Sequence, residues 1–179
     1  MKSRHSTGFV ARLAMIVGTL LTLFAGTSPA ASADPFLDYG PYRIVNSATG
    51  GNLVPWGLGT NHADNLLIYA WNDSAAGNSW RLEPVTADYY LIRNTITNKC
   101  IRAGSPFDGA VTYASQYTCS QSYDFQWHFE HVPGSPSQFM IISRGSSQAL
   151  RPQYNLPNQV VILDTPSSSA LTTWTLNRA

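Results

Sequence analysis

Charged residues are scarce in this sequence, and lysine is almost absent. Asp, Glu, Lys and Arg together make up 12% of the 179 residues, and Lys99 is the only lysine beyond residue 33. Nucleic-acid binding depends on a stripe of Lys and Arg side chains that neutralise phosphates. We therefore predict no nucleic-acid partner. The remaining surface of Asn, Gln, Ser, Thr, Tyr and Gly suits neutral polar ligands.

The sequence also lacks an apolar run long enough for a typical membrane span, which needs ~20 residues. The run from Leu13 to Ala25 has 13 residues, follows three basic residues and precedes the small-residue sequence ASA at residues 31–33. This order is typical of a secretory signal peptide. No cysteine lies near its end to carry a lipid. We predict a signal peptide over residues 1–33, no membrane span and a secreted, extracellular protein.

Cysteine is rare as well. Cys100 and Cys119 are the only two cysteines, and no C-x-x-C pattern or Cys/His cluster accompanies them. A cysteine pair in an exported protein is typical of a disulfide, and closing a loop of about 20 residues adds ~3 kcal/mol in the chain-entropy model. We predict a structural disulfide rather than a reactive thiol or a metal site.

Motifs of catalysis are absent from the sequence. No G-x-S-x-G, H-E-x-x-H or phosphate-binding loop occurs. The segment HFEH at residues 128–131 is the nearest approach to a metal or acid/base site. On a strand, His128 and Glu130 would share a face while His131 points away, so a third ligand is missing. We predict no enzymatic activity and no cofactor.

What the sequence does contain is an internal repeat. Trp80, Trp127 and Trp174 lie 47 residues apart. Two further sets of apolar residues recur at intervals of 48 and 49: Ile44, Ile92 and Ile141, and Leu53, Ile101 and Leu150. The period indicates one unit copied three times. We place a short extension at residues 34–40, repeat one at 41–85, repeat two at 88–132 and repeat three at 138–179.

Short segments rich in β-branched and aromatic residues occur in every repeat, and no stretch after the signal peptide keeps helical periodicity for ten residues. Such segments, bounded by Gly, Asn, Asp, Ser or Pro, predict strands. Each repeat supplies about four strands, and the three units must close around a shared core. The predicted strands are Tyr42–Val45, Leu66–Tyr69, Trp80–Leu82, Tyr90–Arg93, Trp127–Phe129, Phe139–Ile142, Val160–Leu163 and Trp174–Leu176.

These residues resemble a known family. The aromatic-x-Ile start of each unit, NKCI at 98–101, QYTC at 116–119 and QWHF at 126–129 are similar to the ricin-type β-trefoil lectins. The resemblance covers nearly all of Tyr39 to Arg178 and implies an all-β, pseudo-threefold β-trefoil with one shallow sugar site per repeat. Tyr90 to Phe129 also resembles the A and C subunits of cytolethal distending toxins, which are trefoils of this type.

The resemblance implies where a sugar would bind. The family places a carboxylate two positions after the first cysteine, a stacking aromatic two positions before the second, and an amide shortly before the tryptophan. No repeat matches this set. The positions hold Arg102, Tyr117 and Asp124 in repeat two; Val54, Tyr69 and Gly77 or Asn78 in repeat one; and Arg151, Leu163 and Leu171 or Thr172 in repeat three.

Each repeat departs from the family set in a different way, and a different outcome is expected for each. Arg102 either pairs with Asp124 and closes the pocket, or presents a guanidinium with Asp124 to a ligand bearing an acidic group such as sialic acid, uronic acid or sulfate. Repeat three, without aromatic or carboxylate, is expected to be silent. In repeat one, Trp56 is expected to be exposed in a loop near Tyr69 and Asn78. Trp71 is interpreted as filling the space of the missing disulfide.

Two functions fit this pattern. The first is a secreted carbohydrate-binding protein that recognises glycans or polysaccharide through aromatic-lined rim sites formed by Tyr117, Asp124, Arg102, Tyr69, Asn78 and Trp56. The second is a non-catalytic cell-binding subunit of a cytolethal distending toxin-like complex, or another trefoil that contacts proteins. The predicted partner is a carbohydrate or cell-surface glycan in the first case and a toxin or enzyme subunit in the second.

Overall fold

The computed structural model describes residues 37–179, apart from 73–74, 105–108 and 110. The predicted signal peptide lies outside these residues. The described chain is built of strands, with two short 3-10 turns at Ala76–Asn78 and Tyr123–Phe125. The strands are β1 Tyr42–Asn46, β2 Asn52–Pro55, β3 Leu66–Trp71, β4 Ser79–Pro84, β5 Tyr90–Asn94, β6 Cys100–Ala103, β7 Ala114–Tyr117, β8 Trp127–Val132, β9 Ser135–Ser143, β10 Ala149–Pro152, β11 Gln159–Asp164 and β12 Thr173–Arg178.

Six of these strands close into an antiparallel barrel. Strand β1 pairs with β4, β4 with β5, β5 with β8, β8 with β9, β9 with β12, and β12 returns to β1. The other six form three hairpins, β2–β3, β6–β7 and β10–β11. Strand β3 also pairs with β7 and β11, which joins the hairpins to one another. This is the β-trefoil arrangement, and the all-β prediction is confirmed.

The core is organised around the three repeat tryptophans, whose side chains are fully buried. A buried indole N–H needs an acceptor. In every repeat the acceptor is the backbone carbonyl of the apolar residue that recurs on the second strand of the repeat. The bonds run from Trp80 to Leu53 at 2.8 Å, from Trp127 to Ile101 at 3.0 Å and from Trp174 to Leu150 at 2.9 Å. Each hairpin is therefore tied to the barrel by the same contact.

A polar residue ends the first strand of each repeat and shapes the turn that follows. The Asn94 side-chain oxygen accepts the backbone N–H groups of Ile96 and Thr97, both at 3.0 Å. Asn46 and Ser143 make the corresponding turns in the other repeats. Such side-chain bonds replace backbone pairing where the chain reverses. The Asn94 amide also donates to the Gly77 carbonyl at 2.7 Å, which links repeat two to the 3-10 turn of repeat one.

All eight predicted strands are present in the structure. Strand β9 is longer than predicted because it begins at Ser135, directly after a tight turn from β8. Strands β2, β6, β7 and β10 were not predicted. Each has only four residues, too few for an alternating pattern to stand out from the loops around it.

Candidate functional site

Repeat one carries a cluster of three aromatic rings at the edge of the β2–β3 hairpin. Tyr69 and Trp71 lie two residues apart on β3 and therefore project from the same face. Trp56 follows the end of β2. The ring centroids of Trp56 and Tyr69 are 5.3 Å apart, and those of Tyr69 and Trp71 are 6.0 Å apart in an edge-on arrangement. The three rings meet at angles and form walls rather than one flat layer.

The rings enclose a cleft of about 150 Å³ that opens to solvent. Trp56 is 54% exposed and Leu58 is 43% exposed, as expected for residues at an open rim. The predicted exposure of Trp56 is confirmed. The lining is aromatic and aliphatic throughout and consists of Val54, Pro55, Trp56, Gly57, Leu58, Tyr69 and Trp71.

The loop that carries Trp56 is held close to the 3-10 turn of the same repeat. Gly57, Leu58 and Gly59 all have left-handed backbone, with φ values of +79°, +58° and +75°. The backbone N–H of Gly77 donates to the Leu58 carbonyl at 3.1 Å. Glycine is required at position 59, where a left-handed backbone and a close approach to Gly77 both disfavour a side chain.

The second half of this loop is anchored by repeat two. The fully buried Gln116 donates from its side-chain amide to the carbonyls of Asn61 at 3.0 Å and Ala63 at 2.9 Å. Its side-chain oxygen accepts the Thr97 hydroxyl at 2.7 Å. Lys99 forms an ion pair with Asp64 at 2.9 Å. The rim of the cleft is thus fixed at both ends, which lowers the ordering cost of binding a ligand.

The sequence-predicted residues of repeat one fall in different places. Trp56 and Tyr69 lie together in the cleft, whereas Asn78 is buried in the 3-10 turn and is not among the lining residues. Val54 is buried beneath the rings, in register with Tyr69. Sequence reasoning assigned Trp71 to filling space, and the structure adds it to the cleft wall. Its spacing of two from Tyr69 on a strand was the available signal.

In repeat two, the three predicted residues lie together as a closed set. Arg102 Nε is 2.8 Å from Asp124 Oδ2, and the guanidinium carbon lies 5.4 Å from the centroid of the Tyr117 ring. The Ser122 hydroxyl also donates to Asp124. The Tyr117 ring, which would stack on a sugar, is therefore in contact with Arg102. Arg102 and Asp124 thus form an ion pair, and their side chains remain 36% and 31% exposed.

The charge of this pair is stabilised by its surroundings. Burial raises the pKa of the Asp124 carboxyl, but hydrogen bonds from Ser122 and Arg102 outweigh burial, and the pKa lies below its ordinary value. The Cys100–Cys119 disulfide is formed as predicted, and Cys100 faces Tyr117 across the β6–β7 hairpin. The disulfide thus supports the strand pair on which Tyr117 and Arg102 lie.

Repeat three holds a similar ion pair without an aromatic ring. Arg151 Nε lies 2.7 Å from Asp164 Oδ2, and its Nη1 donates to the carbonyls of Pro152 and Gln153 at 2.9 and 2.8 Å. The backbone N–H of Thr165, together with Arg151, lowers the pKa of Asp164. The Nε and Nη1 donors of Arg151 are therefore used within the protein.

The described residues contain neither a cluster of metal ligands nor a membrane-spanning helix. Among residues 37–72, 75–104, 109 and 111–179, no group of three His, Cys, Asp or Glu side chains is placed to hold a metal ion. The same part of the chain contains no helix long and apolar enough to cross a membrane. The His128 ring contacts the Asp88 carbonyl at 3.0 Å.

Comparison with known proteins points to one family. Residues 76–163 match the family described as ricin-type beta-trefoil lectin domain-like. No curated protein matches the chain in sequence. The designed threefold-symmetric protein ThreeFoil is similar in structure, with a TM-score of 0.69 at 19% identity over 77% of this chain and 98% of its own.

Two natural proteins have the same fold. The Rhizoctonia solani agglutinin aligns with a TM-score of 0.67 at 15% identity, over 80% of this chain and 98% of its own. The cytolethal distending toxin from Actinobacillus actinomycetemcomitans aligns with a TM-score of 0.62 at 16% identity, over 76% of this chain and 90% of the matched toxin chain. In three other matched structures, the alignment covers half or less of the matched chain's length. Residues 76–163 are thus assigned to a ricin-type β-trefoil lectin-like domain, and the solved structures share its fold.

Proposed function

We propose that this protein is a secreted, non-catalytic carbohydrate-binding protein, with a ricin-type β-trefoil domain over residues 41–179. The observation that carries the proposal is the solvent-open aromatic cleft of repeat one, formed by Trp56, Tyr69 and Trp71. The ligand is a glycan or polysaccharide, bound by one neutral sugar ring at a time in this cleft.

The chemistry of the cleft favours a sugar over a purely apolar ligand. A pyranose presents C–H groups on one face and hydroxyls at its edge, so its apolar face packs on an aromatic ring while its hydroxyls stay in water. Trp56 is only half-buried, and its rim position allows this division. Aromatic side chains also lose little rotamer freedom on binding.

The other two repeats are poorer candidates for a neutral sugar. Arg102 covers Tyr117 in repeat two, and a sugar would have to displace a guanidinium held by Asp124. Repeat three places Leu163 where the family has its stacking aromatic and uses Arg151 internally. We therefore assign binding to repeat one and expect repeat three to be silent.

The decisive experiment is a glycan array followed by calorimetric titration of the best neutral ligand. Trp56→Ala and Tyr69→Ala should each weaken binding by about tenfold, since tenfold corresponds to ~1.4 kcal/mol and an aromatic contact contributes ~0.5–1.5 kcal/mol beyond the area it buries. Tyr154→Ala is the matched control, since Tyr154 is 56% exposed but belongs to repeat three. It should bind like the wild type.

Two results would contradict the proposal. One is silence across the array from a protein whose near-ultraviolet circular dichroism shows native tryptophan packing. The other is equal loss of binding in Tyr154→Ala and Trp56→Ala, because then the cleft is not the site.

The alternative is a cell-binding subunit of a toxin-like complex. It is favoured by the structural match to the cytolethal distending toxin chain and by the exposed pair Trp56 and Leu58, which could pack on a protein. The discriminating test is co-expression with the products of neighbouring genes. A stoichiometric complex that is lost in Trp56→Ala, together with silence on the array, would support the subunit.

A further inference from the structure

Arg144 is held between two tyrosine rings at the junction of repeats two and three. Its guanidinium carbon lies 4.6 Å from the centroid of the Tyr89 ring and 4.1 Å from that of the Tyr123 ring. Its Nη1 donates to the Gln126 side-chain oxygen at 2.6 Å, and its backbone N–H donates to the Gln126 carbonyl at 2.9 Å. The guanidinium is thus fixed by two ring faces and a hydrogen bond.

The charge of Arg144 is not balanced by a carboxylate in the part of the chain that the structure describes. Five other basic residues form ion pairs there: Arg93, Lys99, Arg102, Arg151 and Arg178. The partner of Arg144 is instead a neutral amide. Gln126 is buried and donates its own N–H to the Gln121 carbonyl at 2.6 Å, so its oxygen is oriented towards Arg144.

A rigid, unneutralised guanidinium is well suited to bind an anion. Its planar N–H groups match the oxygens of a carboxylate or sulfate, and the resulting bonds are charge-assisted. The usual cost of ordering a long arginine side chain has already been met in the protein fold. A β-carbon on Gly145 would lie 3.2 Å from the Asp124 backbone nitrogen, so the residue after Arg144 packs closely on the Tyr123 turn. Ser146, the next residue, is exposed.

Tyr123 adds a surface for the rest of such a ligand. Its side chain is 59% exposed although one side of the ring faces Arg144. An aromatic ring supported from behind by a cation and open in front can pack against a sugar ring. Anion recognition and ring stacking would then act on neighbouring parts of one acidic sugar.

We propose that Arg144, Tyr89 and Tyr123 form a second binding site, which takes the carboxylate or sulfate group of an acidic carbohydrate. The site shares no residue with the cleft of repeat one. It also differs from Arg102, whose guanidinium is paired with Asp124. A purely structural role, in which Arg144 only clamps Tyr123 and its 3-10 turn, would leave ligand binding unchanged when stability is accounted for.

The test is calorimetric titration of the purified protein with three tetrasaccharides: tetragalacturonate, a sulfated isomaltotetraose and unmodified isomaltotetraose. Binding of either acidic probe, weakening as ionic strength rises, is expected at Arg144. The two acidic probes distinguish a carboxylate ligand from a sulfate ligand. The titrations are repeated in Trp56→Ala, which removes the contribution of the repeat-one cleft. Equal binding of the unmodified probe by this variant would overturn the proposal, as would failure of both acidic probes to bind.

Variants test whether the acidic probe binds at Arg144. Arg144→Gln should weaken binding of the acidic probe by about tenfold or more, as expected for loss of a charge-assisted contact. Arg144→Lys should retain only part of the binding, because lysine keeps the charge but not the planar fork of N–H donors. Arg43→Gln is the matched control: Arg43 is exposed, lies outside the ion pairs of the described residues, and its loss changes net charge equally.

Tyr123→Ala provides a second variant, at an exposed position of the proposed site. It should weaken the acidic probe severalfold while leaving the near-ultraviolet circular dichroism of the buried tryptophans intact. If Arg43→Gln and Arg144→Gln weakened binding of the acidic probe equally, the effect would come from net charge alone, and the proposed site would be refuted. Trp56→Ala should still bind the acidic probe, so a failure of the Arg144 site can be distinguished from a failure of the cleft in repeat one.

Discussion

Gly59 and Gly77 touch through their backbones: a β-carbon on Gly59 would lie 2.2 Å from the α-carbon of Gly77, and the reverse holds equally. The contact joins the loop that carries Trp56 to the 3-10 turn that precedes Trp80. Trp80 is fully buried, so this turn is anchored in the core. The position of the cleft rim is therefore set by a contact that permits no side chain.

The first prediction follows from this contact. Gly77 has φ −83° and ψ 17°, which alanine also adopts, so a substitution acts only through the clash. Gly77→Ala should lower the free energy of unfolding by about 1–3 kcal/mol, as overpacking does, and should weaken binding at the cleft. Urea denaturation and glycan titration measure the two effects. Gly109→Ala, at a position with open space around it, should change stability by less than ~0.5 kcal/mol.

The second prediction concerns the indole N–H that ties each hairpin to the barrel. Trp127→Phe removes the donor to the buried Ile101 carbonyl, which costs about 1–3 kcal/mol, and leaves a smaller ring in the core. Denaturant unfolding should show a lower midpoint with the same slope. Trp56→Phe, at the exposed rim, should be nearly neutral. Equal destabilisation by both variants would contradict the assignment of Trp127 to the core.

The third prediction separates the disulfide from the proposed cleft. Cys100 and Cys119 are 19 residues apart in the chain, and replacing both by alanine should cost ~3 kcal/mol of stability. The bridge lies in repeat two, so the double variant should still bind a neutral glycan below its unfolding temperature. Thermal unfolding with and without the ligand measures both properties. Loss of binding by a folded double variant would show that the cleft depends on repeat two more than its contacts indicate.

The fourth prediction is a pH dependence. The pKa of Asp124 is lower in the folded protein than the ordinary value of about 3.9, so the unfolded chain binds its proton first. The stability contributed by Asp124 is therefore present above pH ~4 and is lost as the pH falls through the lower folded pKa. Asp124→Asn should flatten the decline of stability over this acidic range in urea titrations.

A control variant isolates this effect. Glu130→Gln removes a carboxylate from an exposed position of β8 that no ion pair involves in the described residues. Its stability should follow the wild type at every pH. A wild-type slope in Asp124→Asn would mean that the ion pair with Arg102 does not stabilise the native state, as is common for exposed pairs.

The fold was predictable because its core is periodic. Trp80, Trp127 and Trp174 need equivalent places in the barrel, and the carbonyls that accept their N–H groups belong to the residues that recur with them. A threefold pattern of buried residues leaves a strong signal in a single sequence. The loops and four-residue strands carry no such signal, because their conformation is decided by contacts between repeats.

The site was only partly predictable, for a related reason. Trp56 and Tyr69 could be found because a family position and a glycine-rich loop mark them. The choice between a closed and an open Arg102–Asp124 pair depends on side-chain geometry, which spacing does not contain. Arg144 was missed altogether, since its two tyrosine neighbours lie 55 and 21 residues away along the chain and in no repeating relation.

The buried Gln116 side chain makes the cleft a joint product of two repeats. Its amide holds the carbonyls of Asn61 and Ala63, so half of the rim loop of repeat one is shaped by a residue from repeat two. A peptide of repeat one alone would retain all three aromatic rings in its sequence and still lack the arrangement that brings them together. The proposed cleft therefore needs repeats one and two together, and a binder engineered from it must keep Gln116 as well as the three rings.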